Sequence, residues 1–323
     1  MRPIDSSANE PATRFTAANV APGTRLGKRI RADWELYLLL LPTLIYFLVF
    51  HYGPMYGIQL AFKDFRAVDG IWGSPWAGAR HFLRLFNSYQ FPQLVRNTLG
   101  LSLYALVGQF PVPIILAILL NHVPSLRFKR IVQTTIYAPH FISTVVLVGL
   151  LFVFLSPRSG MINVGLGLLG RPPVFFMADP RWFPHLYVFS GVWQSSGWSS
   201  IIYLAALSSV DPGLYEAAEI DGATTLQKIV HVDIPTMLPT AVILLIIRFG
   251  QIMSIGFEQV FLMQTASNIG ASEIIATYVY KVGIVNAQFS FATAVGLFNA
   301  VINLILIIIV NRVARAVSST GLW

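Results

Sequence analysis

Long uninterrupted blocks of apolar residues, rather than an alternating or one-faced pattern, dominate this chain. A helix needs about 20 apolar residues to cross a bilayer, and six stretches reach that length. They are Leu36–Phe62, Asn97–Leu120, Ile131–Leu155, Trp182–Val210, Ile234–Phe257 (interrupted once by Arg248) and Val282–Asn311. The pattern predicts an all-α membrane protein with six transmembrane helices. Prolines fall inside several blocks: Pro42 and Pro54 in the first, Pro111 and Pro113 in the second, Pro139 in the third. Neighbouring helices in lipid can re-satisfy the carbonyls that such prolines free. Bent helices around a cavity are therefore expected, although ordinary packing kinks account for any one proline equally well.

Composition agrees. Of 323 residues, 55% are hydrophobic and 11% charged, against about 25% charged in an average soluble domain. With no cysteine there is no disulfide framework, thiol nucleophile or Cys-type metal site. The six histidines are scattered, without a His-Glu-x-x-His pair, so a membrane-embedded enzyme and a metal site find no support. A net charge of +8 would raise nucleic acid as the partner of a soluble protein. In a membrane protein it reflects Lys and Arg held in cytoplasmic loops.

Charge distribution sets the direction. Arg25, Lys28, Arg29 and Arg31 precede the first stretch, and Arg312 and Arg315 follow the last. Both termini are therefore expected on the cytoplasmic side, with 12 Lys and Arg inside and nine outside. The organisation expected is a mobile cytoplasmic tail over 1–33, then the first transmembrane helix and an external loop over 34–92. A five-helix transmembrane domain follows over 93–311, and a cytoplasmic tail over 312–323. The first apolar stretch is too long for a signal-peptide core and is expected to remain as an anchor. The external segment Lys63–Arg96 carries Trp72, Trp76, Phe82, Phe86, Tyr89 and Phe91. These read as interfacial anchors or as a docking surface for an external partner.

The link between the fourth and fifth stretches differs from the others. Asp211 suits a helix N-cap, Pro212 the first helical position and Gly222 a left-handed stop. A second short helix is expected over about Thr224–Val232, ended by Pro235. Within this link stand Glu216-Ala217-Ala218, then Gly222, then Val232 and Ile234 followed by Pro235. That spacing resembles the EAA loop of binding-protein-dependent ABC importer permeases, with Val232 where Ile is commonest. Gly53-Pro54-Met55-Tyr56-Gly57, Tyr137-Ala138-Pro139-His140-Phe141-Ile142-Ser143, Ala178-Asp179-Pro180-Arg181-Trp182-Phe183 and Gly321-Leu322-Trp323 are similar to one branch of sugar permeases. That branch serves oligosaccharides and includes the first permease subunit of alginate importers.

The resemblance implies a type I ABC importer permease fold with a cytoplasmic coupling helix in the loop 211–235, in a bacterial inner membrane. It implies as partners a second permease subunit, two ATPase subunits that hold ATP and Mg, an extracytoplasmic solute-binding protein and an oligosaccharide. It assigns ATPase coupling to Glu216, Ala217, Ala218, Asp221, Gly222 and Pro235. No cofactor is expected on this chain. Gly23–Arg29 is one residue short of a phosphate loop and has Arg where Ser or Thr must hold magnesium.

For the sugar path the candidates are Trp193, Gln194, Ser195 and Trp198 in the fourth stretch, Arg248 and Gln251 in the fifth, and Asn299 and Asn303 in the sixth. Amides suit hydroxyls and aromatic faces suit sugar C–H surfaces, and a charge at membrane depth usually faces a cavity or partner. Interhelical hydrogen bonding is the plainer reading of the polar residues, and a salt bridge from Arg248 to Glu258 the plainer reading of Arg248. Glu258 is expected to be the only acid near a span core. An ion-coupled secondary sugar transporter is the alternative function; inverted repeats and buried acidic relays would mark it, and no repeat is visible.

Overall fold

The computed structural model describes residues 34–318, and the expected tail 1–33, Gly23–Arg29 and Gly321-Leu322-Trp323 lie outside them. Every regular element among the described residues is helical, apart from two isolated bridges, Lys63 with Trp76 and Arg66 with Gly70. The chain divides into two units at Tyr56 and Gly57. In the first, α1 (Trp34–Tyr46) passes into a π-helical turn, Phe47–Tyr52. This turn lies just ahead of Pro54. Proline has no N–H to donate and its ring crowds the carbonyl four residues back, and a widened turn relieves both.

The second unit carries α2 (Phe91–Asn121), α3 (Leu126–Phe141), α4 (Thr144–Phe154) and α5 (Phe183–Leu207). It continues with α6 (Pro212–Ile220), α7 (Thr225–Gly250), α8 (Phe257–Met263) and α9 (Phe289–Ser318). By length and composition, four helices among the described residues can cross a membrane: Trp34–Phe62, α2, α7 and the Phe289–Ala316 part of α9. The bent pair α3 and α4 makes a fifth. The fourth expected stretch forms α5, 25 residues long but rich in serine. It lies at the centre of the unit, packed by α2, α3, α7 and α8, so polar side chains on it have protein rather than lipid to meet.

The apolar blocks differ from the helices in several places. The third stretch, Ile131–Leu155, is not one helix: α3 and α4 meet at 97°. Pro139 tightens the chain into a 3₁₀ turn, Ala138–Phe141, and Ser143 caps the restart by accepting from the Val146 N–H at 3.3 Å. The fifth stretch stops at Gly250 rather than Phe257. Residues 251–256 form a break in which Asn303 of α9 accepts from the Met253 N–H at 3.0 Å. In the sixth, α9 starts at Phe289 rather than Val282. Val282–Val285 finishes the preceding helix, and Ala287 takes a left-handed φ of 54°.

Small residues let the helices of the second unit touch, as is usual where lipid gives no hydrophobic drive. Gly191 leaves room for the Gln109 side chain, and a Cβ on Gly108 would stand 2.6 Å from a methyl of Val188. Three apolar clusters close around these contacts, one with Val188, Phe183 and Val260, one with Leu94, Met253 and Val295, and one with Ala117, Tyr203 and Met237.

Candidate coupling loop and candidate path cavity

The loop after α5 folds as its residue types require at one end and departs from expectation at the other. Asp211 caps α6, its Oδ1 accepting from the Gly213 N–H at 2.9 Å, with Pro212 at the first position. At the far end Gly222 has φ +75°. Its N–H donates to the Glu219 carbonyl at 3.0 Å and the Ala223 N–H to the Ala218 carbonyl at 2.8 Å. These two bonds make a Schellman stop, which an L side chain at Gly222 would strain. Thr224 and Gln227 then form a reciprocal capping box.

The expected second short helix ending at Pro235 is not separate. α7 runs unbroken from Thr225 through Pro235 to Gly250, 26 residues. A π-helical turn at Ile229–Asp233 widens the helix immediately before the proline, as at Pro54. Lys228 and His231 consequently do not sit at a helix C-terminus. Lys228 Nζ instead donates to Glu219 Oε1 of α6 at 2.7 Å, which holds the exposed Glu219 carboxyl below its usual range.

α6 has an outer and an inner face. Glu216, Ala217 and Asp221 are exposed, as are Leu214 at 55% and Ile220 at 87%, and Glu216 makes no ion pair among the described residues. Ala218 and Tyr215 turn inward. The Tyr215 hydroxyl donates to Asp233 Oδ1 at 2.5 Å, and Asn121 Nδ2 donates to that hydroxyl at 3.1 Å. His122 Nε2 lies 2.6 Å from Asp233 Oδ2. A carboxylate only accepts, so this nitrogen carries the proton. Burial, followed by the Asp233 bond, pushes the Tyr215 hydroxyl up to about 12.

Sequence reasoning missed this cluster, and Glu258 is not the only acid near a span. Asp233, in the third turn of α7, has no exposed surface. The available signal was an acid standing between Val232 and Ile234 in an apolar run.

A cavity of about 340 Å³ opens among α2, α5 and α7. Arg248 and Gln251 line it, joined by Ser102, Gln109, Tyr187 and Ser254, which the sequence did not single out. Both Arg248 and Gln251 are exposed, and Arg248 makes no salt bridge to Glu258 among the described residues. The other candidates lie elsewhere. Trp193 lines an apolar groove with Trp182, His185 and Phe189. Gln194 Nε2 donates to the Ile142 carbonyl at 2.7 Å and so holds the α3–α4 break, while Ser195 bonds back to Gly191 of its own helix. Trp198 stacks on His140 at 4.7 Å and 4°. Asn303 Nδ2 donates to Ser254 Oγ at 2.8 Å and Asn299 Nδ2 to the same oxygen at 3.5 Å. Gln194 and Asn303 thus bond the breaks beside α4 and after α7, and Asn299 also lines an apolar pocket with Phe257, Tyr280 and Phe289.

Comparison with known proteins places the chain. Residues 109–319 match the profile of the family described as binding-protein-dependent transport system inner membrane component. The polygalacturonan/rhamnogalacturonan transport system permease protein YteP of Bacillus subtilis is 46% identical, covering 89% of this chain and 90% of the relative. Protein LplB of the same organism is 42% identical over 91% of this chain and 92% of the relative. Among solved structures, a chain of a bacterial ABC transporter that imports the acidic polysaccharide alginate superposes with a TM-score of 0.85 at 43% identity, covering 91% of this chain and 99% of that one. A second, from an alginate ABC transporter in complex with a periplasmic protein bound to an alginate pentasaccharide, gives 0.85 at 42% identity, covering 92% and 100%.

Proposed function

We propose a coupling and a substrate for this chain, which belongs to the binding-protein-dependent transport system inner membrane components and is a permease subunit of an ABC sugar importer. Family membership displaces the ion-coupled alternative. In the proposed cycle, α6 seats against an ATPase subunit that binds ATP and Mg. Its exposed face offers Glu216 to a basic group, and Leu214, Ala217 and Ile220 to an apolar cleft. That face, closed by the left-handed turn at Gly222, is the observation that carries the reading. Ala217 and Ala218 allow close approach, Asp221 and Gly222 shape the turn, and Pro235 lies in the continuous helix leading away from it.

The cargo we propose is an acidic oligosaccharide. Arg248 stands in the cavity with its charge unpaired by any acid among the described residues, and a guanidinium suits a carboxylate. The relatives named for polygalacturonan and alginate carry acidic sugars, which supports the same class. A second, different permease subunit, two ATPase subunits and an extracytoplasmic binding protein complete the assembly, in a bacterial inner membrane with both termini cytoplasmic.

Gentle detergent purification of the chain from native membranes, followed by mass spectrometry, tests the proposal. A second permease and a P-loop ATPase should accompany it. A chain that purifies alone and transports on an ion gradient in liposomes refutes it.

A further inference from the structure

Three segments distant in sequence meet at one buried carboxylate. Asp233, in the third turn of α7, has no exposed surface, and its two oxygens are taken by two other elements, Tyr215 of α6 and His122 just beyond α2. Asn121 Nδ2 then bonds the Tyr215 hydroxyl. Removing a carboxylate from water is costly, and two well-made hydrogen bonds offset only part of that cost, so stability alone is a weak reason for an acid here. The surroundings suggest a mechanical one. Around Gly222 the turn from α6 to α7 is held by its own hydrogen bonds and not by packing: a Cβ there would touch nothing within 4 Å among the described residues. The other link, Glu219 to Lys228, has a carboxylate 67% exposed, where water and salt screen an ion pair and leave it weak. Push on α6 alone and such a turn would absorb the motion. α7, by contrast, is continuous for 26 residues, about 39 Å at 1.5 Å per residue, and bears Arg248 near its far end.

We propose that Tyr215 and Asp233 are positioning residues of the coupling loop, clasping α6 to the third turn of α7 and the end of α2. Displacement of α6 is thereby carried to the Arg248 cavity. The proposal rests on the reading of α6 as the ATPase-facing helix.

The chain has no cysteine, so Gln251→Cys is a single reporter in the cavity. In the assembled importer in nanodiscs, its maleimide labelling rate is read on this chain by intact mass, with and without Mg–ATP. With the clasp intact, ATP should change the rate about fivefold or more, the lower end of ordinary coupling. Tyr215→Phe and Asp233→Asn should each sharply reduce that change while the ATPase still co-purifies and hydrolyses ATP. The double variant should be no worse than either single one, because both remove the same bond. If Asp233→Asn fails to assemble, the near-isosteric Tyr215→Phe decides alone. An ATP response retained in Tyr215→Phe, or losses that multiply in the double variant, overturns the clasp. Absence of an ATPase from the unsubstituted preparation overturns the coupling reading first, and the clasp with it.

Discussion

Gly197 of α5 lies directly against the main-chain carbonyl of Ile136 in α3, and a Cβ at Gly197 would overlap that oxygen. The contact brings the last turns of α3 onto the central helix just before Pro139, so the α3–α4 break is seated on α5 by close backbone approach as well as by the Gln194 and Trp198 side chains.

Gly197→Ala should therefore destabilise the fold by about 1–3 kcal/mol, the usual cost of overpacking. A lowered melting temperature of the detergent-solubilised chain checks this, and an unchanged one would mean that α3 can shift freely.

Gly222 separates two kinds of substitution. Proline fixes φ near −65°, against +75° here, and removes the N–H that donates to Glu219. Gly222→Pro should leave the protein inserted but abolish sugar-stimulated ATP hydrolysis by the assembled complex. Gly222→Asn, which tolerates the left-handed region, should retain most of it. Equal activity in both variants would remove the turn from the coupling mechanism.

Loss of Arg248 removes a charged hydrogen-bond donor, an interaction of about 1.5–3 kcal/mol. Uptake of a uronic-acid oligosaccharide by the reconstituted importer should fall about 10- to 100-fold in Arg248→Gln, with the subunits still associated. An unchanged uptake rate takes Arg248 out of the path.

Asn303 should behave differently from Arg248. It bonds the Met253 N–H and Ser254 Oγ across the break after α7, so Asn303→Leu leaves a main-chain donor unpaired at a cost of about 1–3 kcal/mol. Thermal stability should drop while the concentration dependence of uptake stays put. The reverse result would return Asn303 to the sugar path.

His81 gives the segment 57–90 a pH dependence. Burial, and then the nearby charges of Arg80 and Arg84, lower its pKa, against the opposing bond at 3.1 Å to the Lys63 carbonyl. The folded loop thus binds its proton less readily than the open loop, whose His titrates near 6.5. Loop stability is complete above that value and declines as pH falls below it. Hydrogen exchange over residues 57–90, corrected for intrinsic rates, should show more frequent opening at acidic pH. The difference should vanish in His81→Gln.

What could be read from the chain was local. The spacing from Glu216 to Pro235 is a covalent property, and Asp211, Pro212 and Gly222 each took the position their chemistry prefers. Arg248 stood out because a charge interrupted an apolar run, and the cavity places it with Gln251. Contacts across the fold left no such mark. Tyr215, His122 and Asp233 are ordinary residues until three elements meet, and Gln194 acquires its partner only because Pro139 breaks the third stretch. Apolar length is likewise blind to where a helix restarts, so the left-handed Ala287 within the sixth stretch went unseen.

The widened turn at Ile229–Asp233 also sets a phase. An α-helix advances about 100° per residue, and a π-turn accommodates one extra residue without passing that rotation on. Lys228 reaches Glu219 on one side of the turn and Arg248 lines the cavity on the other. A regular helix with the same number of residues would put the two out of register by about 100°. The turn is one residue of slack, and it makes the helix unequal in its tolerance to length changes. Deleting Val230 would remove the extra residue and leave Arg248 still aimed at the cavity, at the cost of crowding Pro235 against the carbonyl four residues back. Deleting one residue between Pro239 and Arg248 would swing the guanidinium away.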